Sequence, residues 1–255
     1  MVPVLCSPST GQTLVLPKVK TSRAKVKCLL GYDPLDKQFK ELNSQVSKGH
    51  SVLPIRFTAE QKAILIQSDD EAQVQQKPIS VPAKCSIPHF YPRDEICVNG
   101  VLYYTSLYKA CMIVCFDVRS EKFNLIEVKG ASVRRAVLGF MVNCNGKLGF
   151  SMSENHEGNV GFISGKSSRF KLWVLEDVEK QECSERVYVL PAEWKNIVGE
   201  HVLKIVGLSR TNEIVLSSWY SVKPFYLFYF NPGRNTVVRV EIEGVDMDGS
   251  KFAVL

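Results

Sequence analysis

The residues Met112 to Phe116 form an apolar run. A polar cluster follows from Asp117 to Lys122, and then Phe123-Asn124-Leu125-Ile126, where apolar positions alternate. An apolar run, a turn cluster and a second run of period two predict a β-hairpin. The same order recurs at Val4 to Leu16 around Ser7-Pro8, Leu29 to Leu42 around Asp33-Pro34, Leu172 to Val187 around Asp177-Val178, and Tyr226 to Val240 around Asn231-Pro232. Ser7, Asp33, Asp117, Asp177 and Asn231 are therefore read as structural turn residues. Each offers a side-chain oxygen to backbone N–H groups just ahead, and Pro where present fixes φ at the next position.

A second kind of hairpin stands ahead of each of the last three. Ile96 to Tyr104 turns at Asn99-Gly100, Phe140 to Phe150 at Asn145-Gly146, and Val202 to Leu216 at Arg210-Thr211-Asn212-Glu213. Asn-Gly between strand residues is the strongest short hairpin signal. Two consecutive hairpins make a four-stranded antiparallel sheet, which is one propeller blade. The expectation is an all-β chain, residues 1–255 in one domain, with four-stranded antiparallel sheets arranged as a β-propeller. The ring is expected to be incomplete or open, because the first hairpin starts almost at Met1 as if the N-terminal part were missing. The interval 44–84 fits least: Ala63 to Ile66 reads as a strand, and residues 68–80 as a poorly ordered polar loop. Glu154 to Ser168, rich in Gly and Ser, reads as a loop, and Ala192 to Asn196 as one helical turn.

Composition alters this little. At 45% hydrophobic and 23% charged, the 255 residues are ordinary for a globular domain. The longest apolar run, Pro224 to Phe230, falls far short of the roughly 20 residues that cross a bilayer, so no membrane partner is expected. Met1 to Cys6 has no secretory pattern, which places the protein in the cytoplasm or nucleus and leaves its eight cysteines reduced. The net charge of +6 is mild, and its densest basic stretch, Lys18 to Lys27, reads as a solvated loop. No nucleic-acid partner follows from it.

Motifs for catalytic and binding chemistry are sparse. Neither phosphate-cradling glycine motif is present, and Gly158-Asn159-Val160-Gly161 reads as a loop, so no cofactor is expected. Cys85, His89 and Cys97, with Cys111 and Cys115, are the nearest approach to a metal cluster. Cys111 and Cys115 would lie about 13 Å apart on one face of a strand, too far to chelate one ion. His156 beside Ser151, Ser153 and Glu154 lacks the setting of a nucleophile elbow; His50, His89 and His201 stand alone. Asp69-Asp70-Glu71 and Glu176-Asp177 belong to a polar loop and a turn. No catalytic, metal or cofactor residue is assigned. Phe225 to Phe230 reads as an internal core strand. Trp219, Tyr220 and Lys223 fall in the loop linking two hairpins and are the candidate partner-binding residues.

The runs Cys6-Ser7-Pro8-Ser9-Thr10-Gly11-Gln12, Leu16-Pro17-Lys18 and Gly31 to Lys40 carry a resemblance of another kind. With Ile96 to Tyr104, Ile113 to Phe123, Lys147-Leu148-Gly149, Leu172 to Asp177 and Trp194-Lys195-Asn196 in the same order, the chain resembles the plant F-box associated domain, type 3. That resemblance implies a β-propeller-like domain that follows an F-box, the F-box docking on the Skp adaptor of a cullin-based ubiquitin ligase and the associated domain holding the substrate. The domain pattern already begins within residues 1–5, so an F-box is expected to be lacking here, and Ser44 to Ala83 departs from the family pattern. The expected role is a non-enzymatic protein-interaction domain whose partner is another protein, with no Skp adaptor binding of its own. The alternatives are a propeller enzyme or small-molecule binder with its site at the central channel, and a truncated product without independent function.

Overall fold

The computed structural model describes residues 4–6, 13–15, 26–45, 49–54, 94–106, 112–127, 137, 139–153, 162–178, 180–220 and 224–242. The expected strand at Ala63 to Ile66 and the loop at 68–80 lie outside them.

Each predicted hairpin among the described residues is present. Strands β1 (Val4–Cys6) and β2 (Thr13–Val15) pair as a two-stranded sheet. Sheet I is β3 (Val26–Asp33), β4 (Gln38–Gln45) and β5 (Gly49–Pro54). Sheet II is β6 (Glu95–Val98), β7 (Val101–Ser106), β8 (Met112–Asp117) and β9 (Lys122–Glu127). Sheet III contains β10 (Phe140–Cys144), β11 (Lys147–Ser153), β13 (Arg169–Asp177) and β14 (Glu182–Val189). Sheet IV contains β12 (Ile163–Ser164), β15 (Val202–Leu208), β16 (Ile214–Ser218), β17 (Phe225–Asn231) and β18 (Thr236–Ile242), and a short helix α1 (Trp194–Val198) lies between sheets III and IV in sequence. All pairings are antiparallel, so sheets II, III and IV are built on up-and-down meanders of four strands.

One expectation is corrected. The stretch read as a loop from Glu154 to Ser168 contains β12, which leaves sheet III and pairs with β15 of sheet IV, Ile163 opposite Leu203. The strand is too short to show alternation, and a single Ile among Gly and Ser residues gives no local signal of a partner forty residues on.

The sheets stack in chain order because their strands are apolar on both faces. Successive residues of a strand point to opposite sides, and in β10 this sends Met141 to the seam with sheet II and Val142 to the seam with sheet IV. In β8, Ile113 and Cys115 face sheet III while Val114 and Phe116 face sheet I. That is why Met112 to Phe116 is a continuous apolar run. Strand β10 touches both β6 and β15, so the first strands of the three meanders line up side by side, the radial packing of propeller blades. In β17 only the face of Phe228 and Phe230 enters the seam with sheet III; Phe225, Leu227 and Tyr229, opposite, are half-buried.

Candidate protein-interaction surface

In an up-and-down meander the turn after the first strand and the turn after the third lie at the same end. One end of the stack therefore carries only tight turns, and the other carries the longer connections.

At the tight-turn end the four anchored turns share one geometry. Asp33 pairs with Gln38, Asp117 with Lys122, Asp177 with Glu182 and Asn231 with Thr236, so each turn spans four residues. In each, the anchor's Oδ1 accepts the N–H of the residue three ahead: Asp36 at 3.3 Å, Ser120 at 2.6 Å, Lys180 at 2.9 Å and Arg234 at 3.0 Å. The residue four ahead, Lys37, Glu121, Gln181 or Asn235, has φ between 48° and 58°. Ser7 lies outside the described residues. The inner turns join one sheet to the next: Asn99 Nδ2 donates to the Gly146 carbonyl at 2.9 Å, and Asn145 Nδ2 to Asn212 Oδ1 at 3.0 Å. Ion pairs stand at this end. Lys40 pairs with Glu121 at 2.7 Å and Arg119 with Asp36 at 3.6 Å, and Lys147 pairs with Glu176. The Lys147 and Ser184 bonds hold the Glu176 carboxyl below its usual range. Leu35 and Val178 are exposed here one by one, which is ordinary for a protein surface.

The long-loop end is different. Phe140 opens β10, Phe162 precedes β12 and Trp219 follows β16, and the three rings meet with centroids 4.9 Å, 5.2 Å and 4.9 Å apart. Two of the rings are half-buried, while Trp219 is 41% and its neighbour Tyr220 60% exposed. The Trp219 N–H donates to the Val202 carbonyl at 2.7 Å, fixing the end of β16 to the start of β15. From β15, Lys204 places its ammonium 5.7 Å from the Trp219 ring centroid. The structure thus brings Trp219 to a partly exposed aromatic patch on the seam between sheets III and IV, with Tyr220 exposed beside it in the chain; Lys223 lies outside the described residues. Phe140, Phe162 and Lys204 were not singled out from the sequence. Phe140 and Phe162 are 79 and 57 residues from Trp219 and Lys204 stands on the neighbouring strand, and only an aromatic residue alone in a Gly- and Ser-rich loop, Phe162, offered a hint.

The other residues weighed for chemistry do not assemble. Among the described residues no three of His, Cys, Asp and Glu gather as metal ligands. Cys97 exchanges bonds with the Tyr32 backbone of sheet I, accepting its N–H at 3.3 Å and donating to its carbonyl at 3.6 Å. Burial pushes the Cys115 thiol up to about 12 and, for Cys144, outweighs the opposing charge of Arg186 with the same result. Ser151 is fully buried and donates to the Phe140 carbonyl at 3.4 Å. His201 packs against Tyr226 and Phe228. Cys85, His89, Cys111 and His156 lie outside the described residues. Among the described residues no helix is long and apolar enough to cross a membrane.

A family model described as the F-box associated beta propeller domain matches residues 1–254. The chain belongs to that family. Among curated relatives, F-box protein At5g65850 of Arabidopsis thaliana is 42% identical over 96% of this chain and 58% of its own length. F-box protein DOR of the same plant is 39% identical, with the same shares covered. F-box protein At3g61340 is 36% identical over 96% of this chain and 61% of its own length. The chain thus spans about three fifths of the curated relatives it matches. A crystal structure of TolB from Acinetobacter baumannii covers 96% of this chain and 53% of TolB at 10% identity, with a TM-score of 0.36, a likeness too faint to inform the fold. Within the F-box associated family, sheets II, III and IV are successive blades, and the aromatic patch sits on the seam between the last two. A family of domains attached to F-box proteins points to a role in protein interaction.

Proposed function

We propose that this F-box associated domain is a non-enzymatic module that holds a protein substrate for a cullin-based ubiquitin ligase, and that it does so through the long-loop end. The observation that carries this reading is the cluster of Phe140, Phe162 and the partly exposed Trp219 at the blade edges, with the exposed Tyr220 next in the chain. Large aromatic side chains on a preordered surface supply much of the energy of protein contacts at low entropy cost. The tight-turn end presents ion pairs such as Lys40–Glu121 and Arg119–Asp36 and single apolar side chains instead.

The 255-residue chain and its Trp219→Ala, Tyr220→Ala double variant, immobilised separately, would be exposed to plant extract and the captured proteins quantified by mass spectrometry. A set of proteins held by the native chain should be depleted at least about tenfold on the variant, while thermal unfolding of the two remains alike. Identical capture by both proteins would remove the long-loop end as the binding surface.

A further inference from the structure

We infer that Asn99 is a site of spontaneous modification, converting to aspartate and isoaspartate with loss of ammonia, and that Asn145, in the same dipeptide and the same kind of turn, is protected from it.

The chemistry starts from the dipeptide. In Asn-Gly the glycine nitrogen attacks the asparagine Cγ, because glycine carries no side chain to obstruct the approach. The new N–Cγ bond closes a cyclic imide, the Cγ–Nδ2 bond breaks, and the glycine's proton leaves with the side-chain nitrogen as ammonia. Water then opens the imide. Attack at Cγ leaves an aspartate, and attack at the backbone carbonyl carbon leaves an isoaspartate, whose main chain runs through the side-chain carbons. A water is consumed for each ammonia released, and no oxidant or reductant takes part. The chain holds this dipeptide at Asn99-Gly100 and at Asn145-Gly146, and the dipeptides alone give no reason to separate the two.

Their surroundings match closely. Both asparagines are exposed, with φ of 49° and 53°, and the glycines after them have φ of 80° and 83°. Both side chains donate through Nδ2 to a neighbouring sheet, Asn99 to the Gly146 carbonyl at 2.9 Å and Asn145 to Asn212 Oδ1 at 3.0 Å. The difference lies at the attacking nitrogen. The Gly146 N–H donates to Asn143 Oδ1 at 2.8 Å, so its proton is committed to a carboxamide oxygen and that bond must break before the nitrogen turns on Asn145. Cys97 holds the corresponding place two residues ahead of Asn99. The Gly100 N–H therefore faces a thiol sulfur, a weak acceptor that also takes the Tyr32 N–H at 3.3 Å.

The consequence falls on the seam between sheets II and III. Asn99 Nδ2 is the donor that reaches the Gly146 carbonyl across it. Either product replaces that donor with a carboxylate, which only accepts. Oxygen then meets oxygen and the link is lost, and the isoaspartate also lengthens the main chain of the turn.

Peptide mapping by mass spectrometry tests this on the 255-residue chain, held reduced in mildly alkaline buffer below its unfolding temperature, with the same chain in guanidinium as the reference for each site. Relative to its own unfolded reference, Asn99 should convert at least about fivefold faster than Asn145, the factor that one ordinary hydrogen bond supplies. Asn143→Val should bring Asn145 to within about twofold of Asn99, while Asn143→Asp, which keeps an acceptor, should keep Asn145 protected. The fraction modified at Asn99, separated by its added negative charge, should unfold at lower urea than the unmodified chain. Equal relative rates at the two sites, no conversion of Asn99 in the folded chain, or an Asn145 still protected in the Asn143→Val variant would each overturn the inference. An unchanged urea midpoint would overturn the loss of the link between sheets II and III.

Discussion

Asp117 holds its turn through one carboxylate oxygen, which accepts the Ser120 N–H at 2.6 Å and the Ser120 hydroxyl at 2.7 Å. Burial alone would push this carboxyl up; the bonds from Ser120 and Arg119 and the charge of Lys40 together outweigh it and hold it below the usual range. With its folded value below the unfolded one, the group's contribution is fully present above about pH 4 and is lost as pH falls through the folded value. Asp117→Ala is expected to lower stability by about 1 kcal/mol at neutral pH. The difference in urea midpoint from the native protein should shrink below about pH 4; a pH-independent difference would assign the loss to packing. Partner binding by the folded variant should be unaffected. The anchors were legible in the sequence because Asp and Asn bond their own backbone ahead. The residues four ahead were not: Lys37, Glu121 and Gln181 are poor candidates for positive φ, and the closing of the hairpin overrides their preference.

At the level of elements, the inner turns do more than reverse the chain. Asn145 combines a φ of 53° with the bond to Asn212 that links sheet III to sheet IV. Asn145→Gly keeps the backbone conformation and loses only the bond, at an expected cost below about 1 kcal/mol. Asn145→Ala loses both, and should cost about 1–2 kcal/mol. Chemical denaturation of the two variants side by side checks the order; equal loss would mean that the turn conformation carries none of the cost. That Asn-Gly makes such a turn could be read locally. That one turn's side chain reaches the next blade could not, since the two residues are 67 positions apart. Strand β12 is the same case, visible only as a pairing between blades.

Across the whole molecule, sheets II and III each contribute to two seams, so the packing of one blade is shared with both neighbours. Phe150 lies fully buried in the seam between sheets II and III. Phe150→Ala should cost about 3–5 kcal/mol. Because the seams share strands, the variant is expected to unfold in a single transition at lower urea, with far-ultraviolet dichroism and tryptophan fluorescence coinciding. Trp173 packs in one seam and Trp194 in the next, which makes fluorescence sensitive to both; separated transitions would show seams that melt independently.

By itself the sequence determined the hairpins, their turns and their grouping in fours, because alternation, Asn-Gly and Asp-anchored turns act within a few residues. It also marked Trp219 and Tyr220 as exposed aromatics in a connection. Tertiary structure alone decided what surrounds them. Phe140, Phe162 and Lys204 join Trp219 because the first strands of successive blades lie side by side and β12 crosses the seam, a juxtaposition of residues distant along the chain that no local pattern encodes.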